Sequence, residues 1–487
     1  MHNNQFGNYT PPAPPKGQID IRIGVFFDGT QNNRRNSQAA GNEPGYKPTA
    51  EEKAAYKKHS NKSDDSYTND LSNVARKEYW YNEDKSKYIS KVYIEGIATE
   101  DLQGDVDKKT NHKGVAYGAG STGVIAKVQK GCQRVAEKIN ELKGRFEINT
   151  IILDVFGFSR GAAAARNFVY EVTQTKPRNG LLGFILDNDK IEYGSLQIRF
   201  LGVYDTVSSY DPKASEITVH PDFNNDVGEL NLNTLKAKKI IHLCASDEHR
   251  ENFMLTRVRL APGGKDFFLP GVHSDVGGCY THNMPESKQI MDFDNTVGDG
   301  LSDADYDRAL NIDLNNLIEQ GWFKRSEVVA PNSWHETYIN REKISNRYSF
   351  IPLHIMSEQV NENYSNTIDI TNLNKSYRIP NGTEDKYYPL DLTKVKKRLD
   401  EYVSGSAPEM TYYTNTEIEA LRKQLAAKKI TAEKFNRIVQ DHNLLIYLRN
   451  RYLHWNSKFG DIGYNPHFTF DKKTLQIKRF REMAFNS

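Results

Sequence analysis

The residues best suited to chemistry lie in the stretch Gly157-Phe158-Ser159-Arg160-Gly161, a G-x-S-x-G motif. An apolar run, Ile151–Phe156, precedes it, and four alanines, Ala162–Ala165, follow it. This order predicts a strand, a tight turn and then a helix, and the turn exposes the hydroxyl of Ser159 as a nucleophile. Gly157 and Gly161 flank the serine because a side chain at either place would strike the strand or the helix. A glycine-rich turn with a helix-capping serine is the alternative interpretation.

A serine hydroxyl needs a general base, and the base needs an acid that orients it. Two residues follow predicted strands in that order along the chain. Asp205 comes directly after the strand Gln197–Tyr204, and His273 comes directly after the strand Phe267–Val272. The sequence therefore predicts a triad in which Ser159 attacks, His273 is the base and Asp205 holds the imidazole.

Other acids and histidines stay open as members of this site. Asp247 and His249 lie in a segment that also reads as a helix start with charge pairs, and Asp275 is an alternative acid two residues after His273. His454 is flanked by aromatic residues and is interpreted as structural.

Acyl transfer also needs backbone amides that stabilise the negative charge on the substrate oxygen. The amide of Arg160, directly after the nucleophile, is the first candidate. The second is expected from the turn Asp28-Gly29-Thr30 after the first strand, because glycine allows a close backbone approach. An ordinary turn is the alternative interpretation of Asp28 and Gly29.

Strands and helices alternate over the first part of the chain. Ile19–Phe27 is the first clear strand, Val124–Leu142 has helical spacing, and Ala162–Thr173 is a further helix. The alternation predicts an α/β fold with a mostly parallel central sheet flanked by helices. Together with the serine turn, this predicts an α/β-hydrolase, completed by a largely helical C-terminal or lid region.

Changes in composition divide the chain. Residues 1–18 are rich in proline and are expected to form a flexible tail, and residues 19–285 are expected to form the catalytic core. Within the core, residues 34–69 are polar and predict a surface insertion. Residues 286–487 are expected to form a variable, mainly helical region that packs on the core as a lid or a membrane-facing surface.

Charge and cysteine content exclude several classes of protein. The chain has 65 basic and 63 acidic side chains, a net charge of +2, which gives no basis for nucleic-acid binding or a polybasic anchor. Cys132, Cys244 and Cys279 are far apart and lack metal or disulfide spacing, so no metal or cofactor is predicted. The first residues have neither the basic start nor the apolar stretch of a signal peptide, so a cleaved leader is not expected.

Several motifs, in fixed order, resemble the type VI secretion lipase effectors of the first class, which share an α/β-hydrolase catalytic domain. The resemblance covers about residues 19–455 and is densest before Tyr280. The motifs are VFFDGTQNN from Val25, SNV from Ser72, GIAT from Gly96, the serine turn with its alanines, GVYDTV from Gly202, HLCASDE from His242, PGVHSDVGG from Pro270, PLHIM from Pro352 and YLHW from Tyr452. The chain departs from the family at Ala98, where glycine is common, and in having no evident membrane-spanning segment.

The resemblance implies an antibacterial phospholipase A that hydrolyses acyl esters of membrane phospholipids, at the A1 or A2 position. It implies a triad of Ser159, Asp205 and His273, and no metal. It also implies delivery on a type VI spike protein, from the cytoplasm of the producing bacterium to the periplasm or membrane of a target cell, and a cognate immunity protein in the producer.

Two other functions stay open. One is a spike-associated interaction protein with weak catalysis, and the other is a serine esterase for soluble esters, because the triad does not encode the substrate. A lipid substrate requires an apolar entrance, expected after Tyr280 or on the helix with Ile418–Leu425. Four basic residues lie on that helix or directly after it, namely Arg422, Lys423, Lys428 and Lys429. The alternative interpretation is that the helix simply packs on the core with a solvated basic face.

Overall fold

The computed structural model describes residues 17–105, 118–209, 230–293, 301–329, 336–460 and 464–485, except residues 44, 64, 233, 235, 259, 260 and 262. Within these ranges, the strands are β1 (Gln18–Phe27), β2 (Ile89–Ile94), β3 (Glu147–Phe158), β4 (Tyr193–Tyr204), β5 (Ile240–Ala245), β6 (Leu255–Arg257), β7 (Gly264–Leu269), β8 (Met284–Asp292), β9 (Val328–Val329), β10 (Glu336–Ile344), β11 (Phe468–Asp471), β12 (Gln476–Arg479) and β13 (Met483–Phe485). The helices are α1 (Arg34–Ala40), α2 (Ala50–His59), α3 (Asn73–Tyr79), α4 (Val124–Lys143), α5 (Arg160–Val172), α6 (Gly180–Asn188), α7 (His273–Gly277), α8 (Asp303–Glu319), α9 (Phe350–Asn363), α10 (Ile370–Ser376), α11 (Leu392–Val403), α12 (Asn415–Ala426) and α13 (Ala432–Arg451).

Six strands form the central sheet, in the order β2-β1-β3-β4-β5-β7, and every neighbouring pair is parallel. Successive side chains of a strand point to opposite faces, so each face builds its own core. Phe27 and Val155 belong to the core that includes α4 and α5. Phe26 and Phe156 belong to the opposite core with α3 and α9, and their rings stack 4.8 Å apart. Burial on both faces explains why these strands are almost continuously apolar.

The predicted fold class is confirmed. The predicted strand Ile19–Phe27 lies within β1, and the predicted helices Val124–Leu142 and Ala162–Thr173 correspond to α4 and α5. The strands that were expected to precede Asp205 and His273 are β4 and β7. Helices therefore cover both faces of a parallel sheet, which is the predicted α/β-hydrolase-like arrangement.

Residues 34–69 have more structure than their polar composition predicts. They include α1 and α2, and α1 buries the polar side chains of Asn36 and Ser37. The Asn36 side chain donates to Ser66 Oγ at 2.9 Å and accepts from the Leu102 amide at 2.7 Å. Satisfied hydrogen bonds explain how polar side chains are buried in this segment. The predicted proline-rich tail lies outside the described residues, except for its last two positions.

The C-terminal region contains strands as well as the predicted helices. β8, β10 and β9 form an antiparallel sheet, and β11 and β12 form a hairpin. The last strand, β13, returns to the core and pairs in parallel with β6. Within the described ranges, no helix combines the length and the apolar character needed to cross a bilayer.

The turn after β3 is tightly packed against the turn after β1. Ser159 has a φ of 59°, in the left-handed region that non-glycine residues seldom adopt. A Cβ on Gly161 would lie 2.1 Å from the Asp28 carbonyl oxygen and 2.7 Å from that of Phe27. Only glycine therefore lets α5 start this close to the end of β1.

We predict that Gly161→Ala destabilises the protein by about 3 kcal/mol, because the new methyl group must displace backbone atoms of β1. Gly17→Ala is the control, since its Cβ would meet only the Phe146 ring, at 3.5 Å. Thermal unfolding followed by circular dichroism measures both. Equal unfolding midpoints for the two variants would contradict this account of the turn.

Candidate active site

The predicted triad residues all follow strands at the carboxyl edge of the parallel sheet. Ser159 directly follows β3, Asp205 directly follows β4, and His273 is the first residue of α7, shortly after β7. The Ser159 amide donates to the Tyr204 carbonyl at 3.1 Å, and the Asp205 amide donates to the Leu243 carbonyl at 2.8 Å. In open α/β sheets, this edge is where ligands bind.

Asp205 and His273 form a direct pair. The distance between His273 Nδ1 and Asp205 Oδ2 is 2.5 Å, and both side chains are buried. The His273 ring lies between Phe158, at 4.6 Å between ring centroids, and Phe253, at 5.0 Å. Because Nδ1 faces the carboxylate, Nε2 is the nitrogen that can take up a proton. Phe158 directly precedes Ser159, so the imidazole packs on the serine turn itself.

Arg481 completes the surroundings of Asp205 from near the end of the chain. Its guanidinium donates to Asp205 Oδ1 at 2.7 Å and to Oδ2 at 2.9 Å. It also donates to the Phe253 carbonyl at 2.6 Å, and its side chain is only 4% exposed. The Ala245 amide adds a further hydrogen bond to Asp205 Oδ1, at 2.8 Å. Each oxygen of the Asp205 carboxylate therefore has two hydrogen-bond partners.

These contacts change the ionisation of both groups. Burial alone would raise the pKa of Asp205, but Arg481 and His273 outweigh it and hold this pKa below its usual value. Burial also lowers the pKa of His273, and the Asp205 carboxylate opposes this effect only in part. Near neutral pH, Asp205 is therefore ionised and the His273 imidazole is neutral, as a general base requires.

Glu248 supports the turn that carries His273. Its buried carboxylate accepts from the His273 amide at 3.2 Å and forms an ion pair with Arg250 at 3.0 Å. The Asn456 side chain also donates to it. Arg250 lies over the Phe253 ring, with the guanidinium carbon 3.3 Å from the ring centroid. The backbone at His273 is thus held by a second buried carboxylate.

The alternative acids and histidines form hydrogen bonds in and around the turn that carries His273. Asp275 pairs with His454 at 2.7 Å, and not with His273. Asp247 accepts from the Gly271 amide at 2.7 Å. His249 Nε2 lies 2.7 Å from the hydroxyl of the fully buried Ser457. Asp247 and His454 thus bond to the His273 turn, and the structure gives Asp275 a partner other than His273.

The amides expected to stabilise the oxyanion differ in their present partners. Arg160 is the first residue of α5, where an amide has no acceptor within its own helix. The Asp28 amide donates to the Ile94 carbonyl at 2.9 Å, as part of the sheet. The Gly29 amide donates to Asp28 Oδ1 at 2.8 Å. Both amides of the Asp28–Gly29 turn therefore already have acceptors in the protein.

One group of side chains in the described residues has the composition of a metal site. Ligand atoms of His242, Cys244 and Asp266 lie within 4.8 Å of one another. His242 Nδ1 bonds to Asp266 at 2.8 Å, and Nε2 accepts from the Thr206 amide at 3.0 Å. Burial raises the pKa of the Cys244 thiol well above its usual value, which keeps it protonated. Hydrogen bonds thus occupy the atoms that would bind a metal, and the histidine holds the backbone beside Asp205.

Sequence reasoning missed Arg481 and Glu248. Glu248 lies in the HLCASDE motif, but its role as an acceptor for the His273 amide depends on how two loops meet. Arg481 lies 276 residues from Asp205 along the chain, in a short polar segment without any recognisable pattern. No signal in the sequence connects it to the triad.

We predict that Arg481→Gln destabilises the protein by about 3 kcal/mol at neutral pH, because it leaves a buried carboxylate without its cation. The folded-state pKa of Asp205 lies below its unfolded value, so this stabilisation is present above about pH 4 and is lost as the pH falls further. Chemical denaturation at several pH values between about pH 3 and pH 7 measures the difference in unfolding free energy between the variant and the unaltered protein, because this range includes the titration of an aspartate in the unfolded chain.

Arg437→Gln is the matched control, because Arg437 pairs with Glu433, which is 84% exposed. Such surface pairs contribute about 0.3–0.5 kcal/mol. The assignment of Arg481 as the cation that stabilises Asp205 would be contradicted by either of two results. One is a loss of stability in Arg481→Gln no larger than in the control, and the other is a loss that does not shrink toward low pH.

Comparisons with known proteins extend these observations. Residues 185–296 match the family model described as "T6SS, Phospholipase effector Tle1-like, catalytic domain". This stretch contains Asp205 and His273. A comparison with curated proteins finds no match.

Among solved structures, the chain resembles a Tle1 effector bound to the VgrG spike of the type 6 secretion system. The two are 19% identical, the match covers 100% of this chain and 98% of that chain, and the TM-score is 0.58. An uncharacterized protein from Pseudomonas aeruginosa is 16% identical over 90% of this chain and 64% of its own, with a TM-score of 0.34. The chain is thus similar to the Tle1-like phospholipase effectors of the type VI secretion system, in sequence over residues 185–296 and in fold over its length, which confirms the resemblance predicted from its motifs.

Proposed function

We propose that this protein is an antibacterial type VI secretion effector that hydrolyses acyl esters of membrane phospholipids, as a phospholipase A with a serine nucleophile. The observation that carries this proposal is the buried Asp205–His273 pair, 2.5 Å between Oδ2 and Nδ1, beside the strained turn of Ser159. The match of residues 185–296 to the Tle1-like catalytic domain supports a phospholipid as the substrate.

In the proposed mechanism, Ser159 Oγ attacks the acyl carbonyl carbon while His273 Nε2 takes up the hydroxyl proton. The ionised Asp205 stabilises the imidazolium and holds the ring through Nδ1. His273 then gives the proton to the leaving alcohol, which departs as a lysophospholipid. Water, deprotonated by the same imidazole, releases the fatty acid from Ser159.

The backbone amides have unequal roles in this proposal. The Arg160 amide is the first oxyanion donor, because its place at the start of α5 directs it away from the helix. Gly29 supplies the second amide when the substrate oxygen replaces Asp28 Oδ1 as its acceptor. The Asp28 amide is less suited, since its bond to Ile94 belongs to the sheet. Gly157 and Gly161 allow the close packing of the turn.

The cellular setting follows from the similar proteins. The Tle1 effector of similar fold was solved on a VgrG spike, and we infer delivery by such a spike for this chain. The protein is then made in the cytoplasm of the producing bacterium and acts at the periplasm or membrane of a target cell. A cognate immunity protein protects the producer.

We predict that Ser159→Ala lowers turnover of a phospholipid substrate by at least about 10³-fold while the fold is unchanged, because the nucleophile is lost. Ser357→Ala is the control, since Ser357 is also buried, lies in α9 and donates to the Leu353 carbonyl. Release of fatty acid and lysophospholipid measures turnover. Activity of Ser159→Ala at the level of the control would overturn the proposal.

We also predict the pH dependence of kcat/KM. His273 must be neutral to take up the serine proton, and burial lowers its pKa below 6.5. Activity should therefore persist as the pH falls below 6.5 and decline only when the imidazole gains a proton. An acid limb with a midpoint above 6.5, measured on a soluble ester, would contradict the assignment of His273 as the base.

A further inference from the structure

A groove on the C-terminal region lies between the end of α8 and the C-terminal half of α13. The loop from Lys386 to Leu390 closes its third side, and its volume is about 620 Å³. We call this feature the basic groove. None of its residues belongs to the predicted triad or contacts Asp205, so it is separate from the candidate active site.

The floor of the basic groove is apolar. Ile318, Phe323, Leu390 and Ile446 line it. Tyr447 stands at its side and is 61% exposed, which makes it the most exposed of the large hydrophobic side chains in the described residues. Apolar surface of this kind, edged by polar groups, is typical of a binding site.

The rim of the basic groove is cationic. Lys324, Arg325, Lys386 and Arg451 all line it, and in the described part of the chain none of the four forms an ion pair. By contrast, Lys396, on nearby α11, pairs with both Glu358 and Asp400.

Aromatic and polar contacts hold the rim in place. Arg451 lies over one side of the Tyr387 ring, at 4.0 Å from the centroid, and Lys343 lies over it at 4.1 Å. Arg325 donates to the Asn315 side chain, a neutral group. Three acids lie near the groove. Glu327 accepts from the Lys324 amide at 2.9 Å and from the Asn450 side chain at 3.2 Å, whereas Asp385 and Glu384 act on Tyr452. The four rim cations thus have no carboxylate within ion-pair distance among the described residues.

We propose that the basic groove binds an anionic phospholipid of the target bilayer, with the lipid phosphate against the rim cations and an acyl chain along the apolar floor. This assignment rests on the proposed function, which brings the enzyme to a membrane. Unpaired cations beside an apolar floor match an amphiphile that has an anion at one end. The basic groove is then a docking site that holds the enzyme at the surface of its substrate.

The helix α12, which the sequence suggested as a lipid entrance, fits this role less well. Its apolar residues Ile418, Leu421 and Leu425 are half-buried, and α12 packs against α13. Arg422 is paired with Glu419 at 2.7 Å. Lys428 and Lys429, just after α12, are exposed and serve as control positions.

The test is flotation of the full chain with vesicles of phosphatidylcholine, with or without phosphatidylglycerol. The chain carries Ser159→Ala so that the vesicles are not hydrolysed. In this background, Lys386→Gln with Arg451→Gln should weaken binding to the anionic vesicles about 30-fold, since each removed charge contributes to attraction by an anionic leaflet. Lys428→Gln with Lys429→Gln removes the same charge elsewhere and should leave binding within about threefold.

A second pair of variants tests the apolar part without touching charge. Tyr447→Ser should weaken vesicle binding, whereas Phe184→Ser on α6, which removes a side chain that is 58% exposed, should not. Equal binding by the groove variants and their controls would overturn the proposal and leave an acidic protein as the better occupant. Equal losses in both pairs would overturn it too, because they would show attraction without a defined site.

Hydrolysis of a short-chain soluble ester by chains with an intact Ser159 separates this proposal from the proposed function. The groove variants should keep soluble-ester turnover and lose activity on anionic vesicles. Absence of soluble-ester turnover in the unaltered chain would instead count against the proposed function, while the flotation result would still decide whether the basic groove binds lipid.

Discussion

The buried charge of Asp205 is the constraint on which the candidate active site depends. A carboxylate without solvent is tolerated only when cations and donors surround it. Here, His273, Arg481 and the Ala245 amide supply those partners. Because the same oxygen atoms orient the imidazole, the network that makes this burial tolerable also sets the geometry of the base.

This dependence links the C-terminal region to the central sheet. Arg481 lies just before β13, and β13 pairs with β6, which lies between β5 and β7 of the central sheet along the chain. From the region after α13, the His454 amide donates to Asp275 in the His273 turn, Asn456 donates to Glu248, and Trp455 packs on His249. The C-terminal region is therefore part of the candidate active site, because its residues contact Asp205 and the groups around His273. Removing the last residues should affect the site as directly as a change in the central sheet.

The sequence predicted those features that depend on local patterns. The strand, glycine turn and alanine helix around Ser159 follow from neighbouring residues, and the order of Asp205 and His273 follows from strands that end at one edge. Long-range pairing left no such pattern. Arg481 is an arginine among other charged residues, and only the folded chain brings it to Asp205. The polar stretch after Arg34 looked like a surface excursion, because composition does not reveal that Asn36 finds buried partners.

Backbone hydrogen bonds were equally hidden from the sequence. The Asp28–Gly29 turn lies against the start of α5, as the glycine suggested, but its amides already have acceptors. A motif can place a turn near a nucleophile, yet the direction of each amide depends on the dihedral angles of the folded turn. The basic groove was hidden in the same way, since its four cations come from three separate segments of the chain.

The most direct test of the account is labelling with a fluorophosphonate, followed by mass spectrometry to identify the labelled residue. An activated serine reacts quickly with this probe, whereas an ordinary buried hydroxyl does not. The account predicts rapid, stoichiometric modification of Ser159, and loss of that modification in His273→Ala. Modification of Ser457, which lies 2.7 Å from His249, or the absence of any rapid labelling would contradict it.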